Sequence, residues 1–218
     1  MRTIAGRAAD TLGRVTDAIA RALDRRLDAL GLAPPPLDLP PRVRDDLREV
    51  FGHTIDPAAL TIRRGHVPGV PHPRAFALPG LIYLGADPGV VGTTAGGGRG
   101  PRATPTLVHE LVHVWQGRFL GPRYVVVALA EQGRRGRRAY DWRAVLDNAV
   151  LDRAHIEQTP RAFPVEAHAQ LVSDAYALRY GFTPVTASAA PSRELQAMDE
   201  ALTGLRAGRA PTLRRRAV

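Results

Sequence analysis

The chain has 218 residues, 44% of them hydrophobic and 23% charged, which suits one core of ordinary size with room for a small appendage. It contains no cysteine, so disulfides and thiolate metal sites are excluded, and any metal must be held by His, Asp or Glu. The net charge is +9 and all 30 basic residues are Arg, but the densest clusters, GRRGRRAY at 133–140 and RRR at 214–216, lack the interleaved aromatics of a nucleic-acid surface and read as solvated basic loops.

Apolar side chains at 4, 8, 12, 15, 19, 23, 27 and 30 recur at steps of three and four and predict an amphipathic helix over 4–30, ended by Gly31 and the prolines at 34–36. The expectation is that this stripe packs on the chain's own domain. The segment is Arg-rich like a transit peptide, but Asp10, Asp17, Asp24 and Asp28 argue against one, and it lacks the continuous apolar stretch of a secretory signal. No apolar run approaches the roughly 20 residues of a membrane span. The chain is therefore expected to be made in the cytoplasm, without a removable signal.

A second helix is predicted over 41–52, with Pro41 in its first turn and Gly52 at its end. A short strand follows at 61–64. Residues 74–87 read as two extended pieces around Pro79-Gly80, a pair suited to a type II turn, with a kinked strand as the alternative. The Gly-rich stretch 91–105 lacks the Lys-Ser/Thr ending of a phosphate-binding loop and is expected to be a flexible connector. Thr104 and Pro105 then supply the cap and first turn of a helix running to about Phe119. Further helices are predicted at 123–132, 142–156 and 164–180, and the tail from about 205 is expected to fray.

The helix over 105–119 contains LVHELVHVWQ, with His109 and His113 four residues apart and therefore on one face. Two imidazoles so placed can bind one Zn²⁺, and Glu110, about 100° round the axis, suits a general base acting on water. The surrounding positions Leu107, Val108, Leu111, Val112, Val114 and Trp115 are apolar, so three ionisable groups sit in a buried helix. Buried polar groups without partners cost on the order of 1–3 kcal/mol each, and a metal would satisfy all three together. A third ligand must come from elsewhere: Glu166, His168 or Asp174 in FPVEAHAQLVSDAY, or the pair His155 and Glu157. The spacing of a three-histidine site is missing after Gly117.

HELVHVWQ, AYDW at 139–142 and FPVEAHAQLVSDAY occur in an order that resembles a bacterial zincin-like family, gluzincin-like in its ligands. Members of that family are encoded beside Rhs/Vgr-type secretion proteins and extracellular contractile injection systems. The resemblance covers roughly residues 41–180 and extends to VRDDLREVFG and AFALPGLIYLGAD. It implies an α+β, zincin-like fold, with a small twisted sheet packed on the HExxH helix and a mostly helical second half. It implies Zn²⁺ held by His109, His113 and Glu166, with Glu110 catalytic. Gln170, where the family usually has an acidic residue, puts support of the ligands in question. The expected organisation is an N-terminal amphipathic helix and Pro-rich linker at 1–36, the zincin-like domain at 37–185, and a C-terminal helix with a basic tail at 186–218. The expected activity is zinc-dependent hydrolysis of a peptide or protein substrate. The alternative is a non-catalytic zinc-binding assembly or cargo module that works with secretion-system components and leaves the cytoplasm through a signal-less secretion system. Tyr140, Tyr176 and His155 are candidate donors to the transition state, and residues 81–84 are expected to form the sheet edge lining the cleft.

Overall fold

The computed structural model describes residues 4–68, 74–95, 97, 99–119, 121, 123–151, 163–182 and 192–209. Among these the chain is α+β, with seven α-helices and two small sheets. Helix α1 (Ile4–Ala29) is followed by α2 (Pro41–Phe51), whose end is set by Gly52 at φ +61°. Strands β1 (Thr61–Arg63), β2 (Phe76–Leu78) and β3 (Leu81–Tyr83) form one sheet in the order β1-β3-β2. β3 runs parallel to β1 and antiparallel to β2, with Leu78 opposite Leu81. Pro79-Gly80 is therefore a two-residue hairpin loop, with Gly80 at φ +80° as a type II turn requires, and the kinked-strand alternative is set aside.

The stretch expected to be a flexible connector is instead a two-stranded antiparallel ribbon, β4 (Val90–Thr93) on β5 (Arg99–Ala103), with a register irregularity between Val91 and Thr93. Backbone pairing makes this ribbon, not side-chain alternation, which is why its glycines hid it. It is tied down by Arg102, which pairs with Asp46 at 2.6 Å and lies over the Tyr180 ring at 4.6 Å.

The second half is helical: α3 (Pro105–Phe119), α4 (Tyr124–Arg135), a 3₁₀ turn (Gly136–Tyr140), α5 (Trp142–Leu151), α6 (Val165–Arg179) and α7 (Ser192–Arg206). Every residue of α3 from Leu107 to Gln116 is buried, as befits a helix apolar on all sides. α6 packs along it, and Ala167, Leu171, Val172 and Ala175 share one core with Leu107, Val108, Leu111, Val112 and Trp115. α2 and α7 close that core with Val43, Leu47, Phe51, Met198, Ala201 and Leu205. Trp115 Nε1 donates to the Leu205 carbonyl at 3.1 Å, so the chain at 205 is held in the core and does not fray there. The last residues of the helix expected at 142–156, and the 214–216 cluster, lie outside the described residues.

Helix α1 overturns an expectation. Its polar side faces the body: Asp24 is buried and accepts from Arg63 Nε at 3.0 Å, Arg63 Nη2 at 3.1 Å and Tyr83 Oη at 2.6 Å. Its apolar stripe points outward, with Leu12, Val15, Ile19 and Leu23 all exposed. Three strong charge-assisted bonds at one buried carboxylate decide the helix's rotation against its own hydrophobic pattern. Among the described residues, no helix is long and apolar enough to cross a membrane.

Candidate metal centre

Helix α3 starts where Thr104 Oγ1 accepts from the Leu107 N–H at 3.1 Å, with Pro105 in the first turn. The same hydroxyl donates to Asp87 at 2.6 Å, tying the helix start to the loop after β3. With that end fixed, His109 and His113 face α6 together, their ring centroids 4.9 Å apart. Nε2 of each ring lies 3.4 Å from the same atom, Oε2 of Glu166. All three side chains are buried, and among the described residues they are the one group of His, Asp and Glu whose ligand atoms lie within 4.8 Å of one another.

The distance is informative. At 3.4 Å the contacts are long for N–H···O hydrogen bonds, and Glu166 Oε2 has no hydrogen-bond partner. Two ligands on a tetrahedral zinc, with bonds of about 2.0–2.1 Å, stand about 3.3–3.4 Å apart. Two imidazole nitrogens and one carboxylate oxygen are also the donor set of many catalytic zinc sites. The residues present fit the ion.

Electrostatics agree. Burial pushes His113 toward its neutral form, but Glu166 and Glu110 outweigh it and raise its pKa to about 9. Burial also pushes the Glu166 carboxyl up, and the imidazoles of His109 and His113 instead hold it well below the usual carboxylate range. The pocket is organised around a positive charge. A shared proton meets that need in part; a divalent cation matches all three donors.

The supporting groups come from residues that carried no signal when read singly. Gln116 Oε1 lies 2.8 Å from His113 Nδ1, an acceptor that suits a proton there and orients the ring so that Nε2 faces Glu166. Gln116 Nε2 donates to the Val165 carbonyl at 2.9 Å and lies 3.2 Å from His168 Nδ1. Burial, and then the charges of His113 and His109, lower the His168 pKa to about 3 and hold it neutral, and it is not part of the His109, His113 and Glu166 group. On α4, Gln132 Nε2 donates to Glu166 Oε1 at 2.9 Å. Glu131 accepts from the N–H groups of Val165 and Glu166, both at 3.2 Å, and so caps α6, which Pro164 cannot do. One oxygen of Glu166 is thus anchored and the other aimed at the two imidazoles.

Asp174 is placed elsewhere, accepting from Trp142 Nε1 and Gln170 Nε2, both at 2.8 Å. Gln170 therefore supports Asp174. His155 and Glu157 lie outside the described residues. Glu110 is buried beside His109 in the sequence of α3, and its charge contributes to raising the pKa values of His113, Tyr124 and Tyr140.

Of the donor candidates, Tyr140 comes close: its half-buried ring is 5.7 Å from that of His109. Burial raises its pKa to about 12, against the pull of an Arg74 hydrogen bond. Tyr176 is removed from the site, donating to the Ala103 carbonyl at 3.1 Å about 15 Å along α6 from Glu166. Tyr124 approaches His113 with ring centroids 6.2 Å apart, but its hydroxyl donates to the Ala77 carbonyl of β2.

The expected cleft edge at 81–84 is contradicted. β3 is the central strand, paired on both sides, and Tyr83 reaches to Asp24 of α1. The edge strand beside α3 is β2, coupled to the site through Tyr124. Comparison of the chain with protein-family models, with curated proteins and with solved structures gives no match.

Proposed function

We propose that the chain is a zinc-dependent metallopeptidase of gluzincin type, in which His109, His113 and Glu166 hold the ion and Glu110 is the catalytic base. The observation that carries this reading is the convergence of two Nε2 atoms on one carboxylate oxygen at 3.4 Å, with Glu110 buried on the same helix as the two histidines. Bound there, Zn²⁺ would supply Lewis acidity and bring the pKa of water near 7. Glu110 takes the proton of the attacking water and returns it to the leaving amine. Tyr140, half-buried next to His109, donates to the oxygen on which charge develops. Gln116, Glu131 and Gln132 hold the ligands in place so that no reorganisation is needed during reaction. An extended substrate meets the sheet at β2, where Ala77 already accepts from Tyr124 and only part of the edge is open to pairing.

The zincin-like comparison rests on the order of parts: short sheet, HExxH helix, later helix with a glutamate near its start. A non-catalytic module would use zinc to join α3 and α6 and would close the ion with a fourth protein ligand. Among the described residues three ligands converge, which favours the open, catalytic arrangement. Zinc content and cleavage of a peptide library, measured on wild type and Glu110→Gln together, test the proposal. Zinc in both forms with cleavage only in wild type is the expected result; zinc in both with cleavage in neither returns the chain to the assembly reading.

A further inference from the structure

Helix α1 carries a second feature unrelated to the metal pocket. Leu12, Val15, Ile19, Leu23 and Leu30 are 55%, 48%, 63%, 41% and 62% exposed. At 100° per residue they fall within an arc of about 80°. The other exposed positions, including Ala18, Ala22, Arg14, Arg25 and Arg26, widen the outward surface to about half the helix circumference. From Leu12 to Leu30 the stripe is therefore a ridge about 27 Å long, not one wall of a groove.

Its charges are of one sign. Arg26 lies within the stripe, and Arg25 and Arg14 lie about 80° and 100° round the axis from its edge, all exposed. The helix's acids are on the other side: Asp10 and Asp24 are buried, Asp17 pairs with Arg21, and Asp28 pairs with Arg63. A second copy laid parallel on the ridge would set Arg26 against Arg26, and an antiparallel pair centred on Ile19 would put Arg26 opposite Leu12. The occupant that complements the ridge is flat, apolar beneath and negatively charged at its surface.

We propose that α1 docks the protein on an anionic lipid surface. The Leu12–Leu30 stripe enters the boundary between headgroups and acyl chains, and Arg14, Arg25 and Arg26 reach lipid phosphates. Because the polar side of α1 is fixed to the body through Asp24 and Arg63, the helix carries the folded domain with it.

The test is co-sedimentation of the full chain with vesicles of phosphatidylcholine and phosphatidylglycerol in a two-to-one mixture, and of phosphatidylcholine alone. The mixed vesicles should bind the chain, more weakly at high salt, and the neutral ones should bind it much less. Ile19→Glu with Leu23→Glu should lower binding at least about tenfold with an unchanged circular dichroism spectrum. Each of Arg14→Gln, Arg25→Gln and Arg26→Gln should lower it about fivefold. Binding of the double glutamate variant equal to wild type would overturn the proposal and move the contact to the basic cluster at 134–138. Absence of binding to either vesicle would also overturn it, as would a lipid-free dimer that Ile19→Glu splits, which would give the ridge to a second copy.

Discussion

Two buried carboxylates that draw on several elements, Asp24 and Glu166, are treated differently. At Asp24 both oxygens are engaged, one by Arg63 and Tyr83 and the other by Arg63. At Glu166 one oxygen is engaged by Gln132, while the other has no hydrogen-bond partner and faces two imidazole nitrogens. The first arrangement is complete and holds a helix on a sheet. The second stops one positive centre short. Burial of charge does not by itself mark a site; burial with an atom left over, in a pocket shaped for its complement, does.

The largest effect that sharpens this contrast is on turnover. Glu110→Gln should keep fold and zinc and lose about 10²–10⁴-fold in kcat, measured on any peptide the wild type cleaves. Equal rates in both forms would remove Glu110 from the mechanism. Next comes stability. Asp24→Asn leaves the Arg63 guanidinium with less compensation in a nearly closed position and should cost about 2 kcal/mol, Asp28 and the Pro34 carbonyl moderating the loss. That cost should be the same with and without zinc. By contrast, zinc at about 100 times its Kd should stabilise the wild type by about 2.7 kcal/mol and Glu166→Ala by much less. A zinc-dependent effect at Asp24, or a zinc-independent one at Glu166, would collapse the distinction between the two.

Gln116→Ala should weaken zinc by about 10–100-fold through loss of the His113 orientation, with Gln116→Glu recovering part of it. The smallest effect concerns acid. Burial pushes the Asp24 carboxyl up, but Arg63 and Tyr83 hold it below its ordinary value of 3.8. A carboxyl lowered in the folded state stabilises fully above the unfolded pKa and loses that contribution as pH falls through the folded one. The α1 interface should therefore persist unchanged down to about pH 4 and loosen below it, followed through the Tyr83 ring resonance. Loosening between pH 5 and 7 would mean that other groups hold the helix.

What could be read from residue order was what is local. Thr104 and Pro105 start α3 as expected, and the i, i+4 spacing of His109 and His113 needs nothing beyond the helix itself. Glu166 was one of several candidates until the resemblance singled it out, because contact between the α6 start and α3 is set by packing across 50 residues. Gln116, Glu131 and Gln132 are ordinary polar residues on helices until that packing brings them to Glu166 and His113. The stripe on α1 was plain in the periodicity, yet periodicity cannot say that a buried Asp24 would turn the stripe outward. The β4–β5 ribbon escaped for the opposite reason: its glycines carry no pattern, and its pairing is made by the backbone.

The most direct measurement is a zinc titration of the purified chain beside His113→Ala and Glu166→Ala, with X-ray absorption on the loaded wild type. The account predicts one zinc per chain, nitrogen and oxygen ligands at about 2.0–2.1 Å, and strong loss of affinity in both variants. A wild type that binds no zinc, or a Glu166→Ala variant that binds it as tightly as wild type, would contradict it.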